Sequence, residues 1–340
     1  MKRTELQVIE RTYWGAVTRK LWHDKMTVVA IGLLLFMIGI SLGAARISDT
    51  FLGFSPTDTD LRSRAKPPTW ADEAWPQFQK FAQTCQRTQC QWSLWPHIIT
   101  NGLAGVSSCL NDGYGKCHWM GTDQAGRDVF TRGLYGGRIS LRIGFYVAGI
   151  TMTLGVIMGL LSGYYAATWV DDIINAIIQT LSSIPLLFLL IILSRIFSPG
   201  PEGLALLLGA FGWMGVSRLI RGQIFSIRER DYIMASRAIG ASIWRIMFWH
   251  MLPNISSIVI VIGVFNVAGA IISEAGLSYL GVGIGPPLPS WGNMMQGSLG
   301  NFTDAPWLVL APGLFIFLTT LSIYLIGDGL RDALDPWVKN

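Results

Sequence analysis

Six predominantly apolar runs without a single charged side chain dominate this chain: 26–45, 143–170, 173–194, 203–217, 254–273 and 305–327. A helix needs about 20 such residues to cross a bilayer. Inside lipid it must also satisfy its own backbone hydrogen bonds, which favours helices over irregular structure. The runs therefore predict an all-α polytopic membrane protein with six transmembrane helices. Run 173–194 carries Pro185 inside it. Run 203–217 is the weakest, held short by Glu202 and Arg218, and is expected to borrow a turn at each end. The stretch 275–303 is also uncharged, but 10 of its 29 residues are Gly or Pro. It reads as an irregular loop, not a seventh span.

Composition agrees. Only 14% of residues are charged, against about 25% in soluble domains. That is too few to coat a soluble globule of 340 residues. With 51% apolar residues the chain also lacks the signature of disorder. The net charge of +5 comes from 26 basic and 21 acidic residues. In a soluble protein it could hint at nucleic acid. Here the basic residues mark cytoplasmic loops instead, and no nucleic-acid partner is expected. Lys2, Arg3, Arg11, Arg19, Lys20 and Lys25 precede the first run, and Arg218, Arg221, Arg228, Arg230, Arg237 and Arg245 follow the fourth. The loops 198–203 and 277–304 have none. Both termini and the 218–252 segment are thus placed in the cytoplasm. The long 46–142 stretch lies outside despite its eleven basic residues, because long loops translocate largely regardless of charge. Run 26–45 is too long for a cleaved signal peptide and reads as an uncleaved anchor. The expected organisation is a cytoplasmic segment 1–25, a first span 26–45, an external loop and pre-span helix 46–142, a five-span core 143–336 and a tail 337–340.

All four cysteines, Cys85, Cys90, Cys109 and Cys117, fall in the external loop. An even number confined to an oxidising compartment argues for two disulfides. Sequence does not choose among the three pairings; pairing between the 85/90 and 109/117 clusters would staple the loop into a small cap. Trp70, Trp75, Trp92, Trp95 and Trp119 would supply a miniature core. A metal site with His97 or His118 is the rival reading, but the cysteine spacings are not those of a zinc finger.

The segment 226–254, SIRERDYIMASRAIGASIWRIMFWHMLPN, is too charged to span and too apolar for a plain linker. Residues 228–239 have helical composition. Gly240 can end that helix in the left-handed conformation, Ser242 can cap a second helix running toward Trp249, and Pro253 marks the entry to the fifth span. Ala235, Ser236, Ala238, Gly240 and Ala241 form a smooth patch, with Arg237 and Arg245 offering charge contacts around it. Spacing alone leaves two readings open: an internal helix–helix turn, or a knob for a separate cytoplasmic protein.

The pattern D-Y-x-x-A-S-R-A-x-G-A-S, followed by H-x-L-P-N, spans Asp231 to Asn254. It resembles the cytoplasmic loop of permease subunits of bacterial ABC importers. Their motif runs Glu-Ala-Ala, three residues, Gly, nine residues, then hydrophobic-x-Leu-Pro. Gly240, Leu252 and Pro253 match it. Met234 stands in place of the Glu, Ser236 in place of the second Ala, and His250 at the hydrophobic position. Gly121-Thr-Asp-Gln-Ala-Gly-Arg-Asp128 and Tyr135-Gly-Gly-Arg-Ile-Ser-Leu141 resemble the segment before the second span in dipeptide, oligopeptide and nickel permeases. Glu274-Ala-Gly-Leu-Ser-Tyr-Leu-Gly281, Pro289-Ser-Trp-Gly292 and Gly327-Asp-Gly-Leu-Arg-Asp-Ala-Leu-Asp-Pro336 are similar to the C-type oligopeptide permease subunit. Residues 46–117 depart from the family, whose loop is usually shorter and lacks this cysteine set.

The resemblance implies a type I ABC importer permease fold and a non-catalytic subunit that moves oligopeptides or dipeptides into the cytoplasm across the bacterial inner membrane. It implies a second, B-type permease subunit, two ATP-binding subunits and an external substrate-binding protein as partners, with ATP and Mg bound by the ATP-binding subunits. The 228–250 helices would dock on those subunits through Asp231, Tyr232, Ala235, Ser236, Arg237, Ala238, Gly240, Ala241, Arg245, Leu252 and Pro253. The extra 46–117 cap would contact the binding protein or cover the external mouth.

Other chemistry finds little support. No G-x-x-x-x-G-K-[ST] is present, so this chain is not expected to bind ATP itself. The segment around Gly133–Gly137 reads as turn and helix packing. HExxH does not occur, and the one G-x-S-x-G, Gly39 to Gly43, lies inside the first apolar run, not on the strand-to-helix turn of a hydrolase nucleophile. A secondary transporter or channel working without ATPase subunits is the alternative, but such proteins place ionisable residues inside spans, and these spans are almost free of charge. Glu274 is a candidate external gate or substrate contact; as a satisfied end-of-helix carboxylate it would be structural. Asp123, Arg127 and Asp128 are expected to form an ion-pair cluster holding the helix before span two. The small-residue faces at Gly144, Gly149, Gly155 and Gly159 are expected to pack against neighbouring helices.

Overall fold

A computed structural model of the chain describes residues 15–72, 74–80, 101, 117–197 and 199–334. The described residues are helical, apart from turns and an isolated antiparallel bridge between Thr122 and Asp128. The main helices are α1 (Lys25–Leu42), α2 (Val129–Tyr164), α3 (Trp169–Ser182), α4 (Leu186–Phe197), α5 (Pro201–Arg228), α6 (Asp231–Ala238), α7 (Ser256–Tyr279) and α8 (Trp307–Leu334). Five of these are long and apolar enough to cross a membrane, and α3 with α4 form a sixth candidate bent by 78°. Large apolar side chains such as Leu35, Phe36, Leu206, Leu219 and Phe317 are exposed along the spans. A soluble protein seldom exposes so much apolar surface.

Three spans differ from expectation, each for a visible reason. Span three is not one straight helix. Pro185 has no N–H to offer and disfavours helical geometry in the residue before it. The chain breaks at 183–185, and α4 restarts at Leu186 with Leu189 N donating to Pro185 O at 3.2 Å. Span four is far longer than 203–217. Pro201 begins it at a position where the missing N–H costs nothing, and Arg218 and Arg221 do not end it because both find partners. Arg218 Nη2 donates to Ser182 Oγ at 3.2 Å, and Arg221 forks onto Asp171 at 2.8 and 2.6 Å. Span two begins at Val129, not Ile143. Asp128 starts it by accepting from Thr131 N at 2.7 Å, and Arg138 Nε is absorbed by the Ser41 carbonyl at 2.7 Å.

Two compact units divide the described residues. The first comprises the chain up to Leu35, Arg142–Ser273 and the chain from Leu318 onward. Its core is a stripe contact between α2 and α5. A Cβ at Gly155, Gly159 or Gly163 would come within 2.5, 2.6 and 2.7 Å of Val216, Ile220 and Ile224 respectively. Three glycines spaced by four let the helices approach backbone to side chain. Gly144 packs likewise on Ile271, whereas Gly149 has nothing within 4 Å and lies on an open face. The expectation of packing at Gly149 is therefore corrected.

The second unit comprises Phe36–Leu141 and Glu274–Phe317. Its centre is Trp291, fully buried, with Nε1 donating to Gly133 O at 2.9 Å and its ring stacked on Phe315. Trp75 packs edge-on against Trp307, and Trp307 Nε1 reaches the Thr122 carbonyl at 3.1 Å. Trp70 donates to Trp119 O at 2.9 Å. Cys117 is buried and is a half-cystine. Cys85, Cys90 and Cys109, like Trp92, Trp95 and His97, lie outside the described residues. His118 Nδ1 lies 2.9 Å from Asp128 Oδ1, and no His/Cys/Asp/Glu cluster suited to a metal occurs among the described residues.

Candidate functional site

Residues 229–254 build a two-part knob on the first unit. Helix α5 ends at Arg228, and only Glu229 and Arg230 separate it from α6. Helix α6 closes in a Schellman motif: Gly240 N donates to Arg237 O at 3.0 Å and Ala241 N to Ser236 O at 3.0 Å. Gly240 has φ of +78°, a conformation that L side chains resist. Ser242 then caps the next helical turn, its Oγ accepting from Arg245 N. The chain continues through a π-helical stretch, Ile246–Met251, and a last turn, Leu252–Asn254, before α7. The second helix thus runs past Trp249 and takes Pro253 into its final turn, where the ring is tolerated.

One face of this knob is an anchor. Ile233, Ile246, Met247 and Met251 are buried together with Ile220, Ile224, Ile227 and Leu160. Polar ties reinforce it. Arg228 Nη1 donates to the Ala166 carbonyl at 3.0 Å and the Tyr164 carbonyl at 3.4 Å, capping the C-terminal end of α2. The Arg237 guanidinium lies 4.8 Å from the centre of the Tyr164 ring, a cation–π contact. Asn254 Nδ2 donates to Tyr232 Oη at 2.7 Å, joining the two helices.

The opposite face is bare. Ile239 is 85% exposed, Trp249 78% and Trp244 61%. Trp244 stacks on Phe248. Asp231, Ala235, Ala238, Gly240 and Arg245 are exposed as well, and no atom lies within 4 Å of a Cβ built on Gly240. The glycine is therefore needed for its conformation, not for space within this chain. The other residues expected at the site divide between the faces. Ser236 Oγ donates back to Tyr232 O at 2.7 Å, Ala241 and Leu252 are half-buried, and Pro253 is exposed. Arg237 was expected to ring the patch but is engaged on Tyr164. Tyr164, Arg228 and the exposed Trp244 and Trp249 were not singled out by sequence. The signal that could have found Trp244 and Trp249 is the apolar-aromatic run after Ser242, which is longer than one buried face requires; Tyr164 and Arg228 carry no such local signal.

A polar cluster supports the same region. Asp171 is buried and accepts from Arg221, from Ser162 Oγ and from Asn175 Nδ2 at 2.6 Å, while Ala167 N lies at 3.3 Å. It fixes the turn between α2 and α3 against α5. In the second unit, Glu274, the candidate gate or substrate contact, is fully buried. Ser140 Oγ donates to it at 2.8 Å and Ser278 Oγ at 2.7 Å. Ser140 Oγ in turn accepts from Trp291 N at 3.3 Å. Asp123 and Arg127 pair at 2.7 Å, as expected, but Asp128 turns away to His118 and Thr131 N.

The apolar spans, joined to an exposed helical knob, define a multi-pass membrane protein. Residues 151–340, more than half the chain, match the family described as binding-protein-dependent transport system inner membrane component. The chain belongs to this family of ABC transporter permeases: it is a multi-pass inner-membrane protein and a non-catalytic subunit of an ATP-hydrolysing complex. Such a permease works with ATP-binding subunits and a substrate-binding protein.

Among relatives, the oligopeptide transport system permease protein OppC of Haemophilus influenzae is 30% identical over 332 residues, covering 98% of this chain and 91% of its own. The glutathione transport system permease protein GsiD of Pectobacterium atrosepticum is 39% identical over 231 residues, 68% of this chain and 76% of its own. The dipeptide transport system permease protein DppC of Alkalihalophilus pseudofirmus is 40% identical over 223 residues, 66% of this chain and 73% of its own.

Proposed function

We propose that this chain is the C-type permease of an importer that carries oligopeptides or dipeptides into the cytoplasm. It would pair with a B-type permease and stand on two ATP-binding subunits, which hold ATP and Mg, with both termini cytoplasmic and the cap outside. The single observation that carries the coupling role is the two-faced knob. One face is anchored in the core of the first unit, and the other presents Ile239, Trp244 and Trp249 around an open Gly240. Exposed aromatics beside small residues are what a protein interface enriches. ATP-driven closure of the partner subunits would move the knob, and the buried Ile233–Met251 face would pass that motion to α2 and α5. The relatives' names support peptides as the transported class. The pairing of Cys85, Cys90, Cys109 and Cys117 as two disulfides is part of this proposal.

The test is purification in mild detergent followed by transport in proteoliposomes. Wild-type chain should co-purify with a second permease and ATP-binding subunits, and peptide should stimulate ATP hydrolysis. Gly240→Glu should lose transport, or lose the ATP-binding subunits, with the chain still inserted in the membrane. A chain that purifies alone and transports at wild-type rate with Gly240→Glu would favour a secondary transporter.

A further inference from the structure

We propose that an arginine-lined pocket in the second unit receives an acidic side chain of the external substrate-binding protein and so registers that protein on the permease. The inference rests on the importer reading above. The pocket encloses about 280 Å³ and is walled by Arg64, by the Gly121–Asp128 motif with Arg132, and by the 293–298 turn. It gives that motif a use beyond starting α2.

The charges in the pocket do not balance. Arg64, Arg127 and Arg132 line it, and Asp123 is the one carboxylate among its described lining residues. Asp123 is already committed: Oδ1 accepts from Ala125 N at 2.8 Å and Arg127 N at 3.0 Å, and Oδ2 faces Arg127 Nε at 2.7 Å and Arg132 Nε at 3.5 Å. Arg132 is only 3% exposed. Its Nη1 donates to Pro56 O at 3.2 Å, and among the described residues its Nη2 donates to nothing. A buried guanidinium with a spare edge is completed by a carboxylate, which can accept two parallel hydrogen bonds. Gln124 and Gln296 on the wall add amide donors.

Size and place select the occupant. The volume is ample for a carboxylate side chain and sits at the lower edge of the range for pockets that hold a whole small ligand. Its walls are turns and a helix start on the side assigned to the exterior. A docking protein must arrive, orient and leave from there. A positive pocket meeting a negative side chain speeds encounter and sets register.

The experiment uses the assembled importer in nanodiscs with its binding protein and reads the binding-protein concentration that half-saturates ATPase stimulation. Arg64 is exposed, so Arg64→Glu should raise that concentration about tenfold. The difference should shrink toward zero at about 0.5 M salt, where surface charges are screened. Arg132→Lys, which keeps the charge but loses the fork, should give an intermediate rise. Arg62→Glu, next to the pocket but not lining it, should shift the value less than about twofold. An unchanged value in Arg64→Glu, or an equal shift in Arg62→Glu, overturns the proposal. So does binding of a free-carboxylate tripeptide to the assembly without binding protein that is lost in Arg64→Glu, because the pocket would then hold substrate. A wild-type assembly whose ATPase ignores its binding protein would instead overturn the importer reading, and this inference with it.

Discussion

The knob at 231–254 and the turn system at 117–132 are both short, irregular and joined to long helices, yet they are built in opposite ways. The turn system ties its backbone to its neighbours and holds the polar pocket in place. Ala65 N donates to Asp123 O at 2.8 Å, Lys66 N to Thr122 Oγ1 at 2.9 Å and Thr69 N to His118 O at 3.1 Å, so the segment 65–69 is tied to it. Its glycines are needed for space as well as conformation: a Cβ on Gly121 would meet Lys66 O at 2.7 Å and Trp307 Nε1 at 2.9 Å. The knob spends its hydrogen bonds on its own helices and leaves its largest side chains uncovered. Its glycine has the same positive φ but nothing near it. A region that closes its backbone contacts holds a polar pocket in fixed shape; a region that keeps large apolar side chains bare offers the kind of surface that protein interfaces enrich.

That contrast can be broken by substitution. Trp291→Ala removes the fully buried centre of the second unit and should cost about 3–5 kcal/mol. The expected readout is loss of monodisperse protein in fluorescence size-exclusion after mild heating. Met247→Ala and Trp249→Ala lie two residues apart on opposite faces of the knob. Met247→Ala should cost about 2–4 kcal/mol and lower the thermal midpoint. Asp171→Asn should cost about 2 kcal/mol, since it leaves Arg221 without its counter-charge; Arg221 is partly exposed, which keeps the loss below that of a fully buried pair. Gly240→Ala should cost about 1 kcal/mol for the left-handed backbone alone, with assembly intact. Trp249→Ala should change stability by less than about 0.5 kcal/mol while reducing co-purification of the ATP-binding subunits. If Trp249→Ala lowers the thermal midpoint as much as Met247→Ala, the knob is an internal packing turn and the contrast fails.

The sequence displayed the spans because charge and apolarity are local properties. It also displayed the knob's outline, since Gly240, Ser242 and Pro253 carry their conformational preferences with them. What it hid were effects of partners distant in the chain. Arg218 and Arg221 looked like the end of span four because Ser182 and Asp171, which absorb them, lie 36 and 50 residues away. Glu274 looked like an accessible carboxylate because Ser140, 134 residues earlier, is brought to it only by the fold. The bend at Pro185 was visible as a residue but not as an angle. Which face of the 243–251 stretch is buried was also unreadable, because a π-helical turn shifts the helical period that sequence arguments assume.

The glycine stripe on α2 has a mechanical consequence. Side chains of ordinary length act as compliant spacers, letting two helices slide or roll before either is dragged. At Gly155, Gly159 and Gly163 there is no such spacer: Val216, Ile220 and Ile224 seat directly on the backbone, at three points along some twelve Å of helix. Below the last of these, Arg228 ties α5 to the final carbonyls of α2, and a joint of two residues leads into α6. Under the importer reading proposed above, a load applied at the knob would thus enter a two-rod beam with almost no backlash. In the proposed importer, a stroke delivered there would be spent on turning a pair of spans together, not on loosening one from the other.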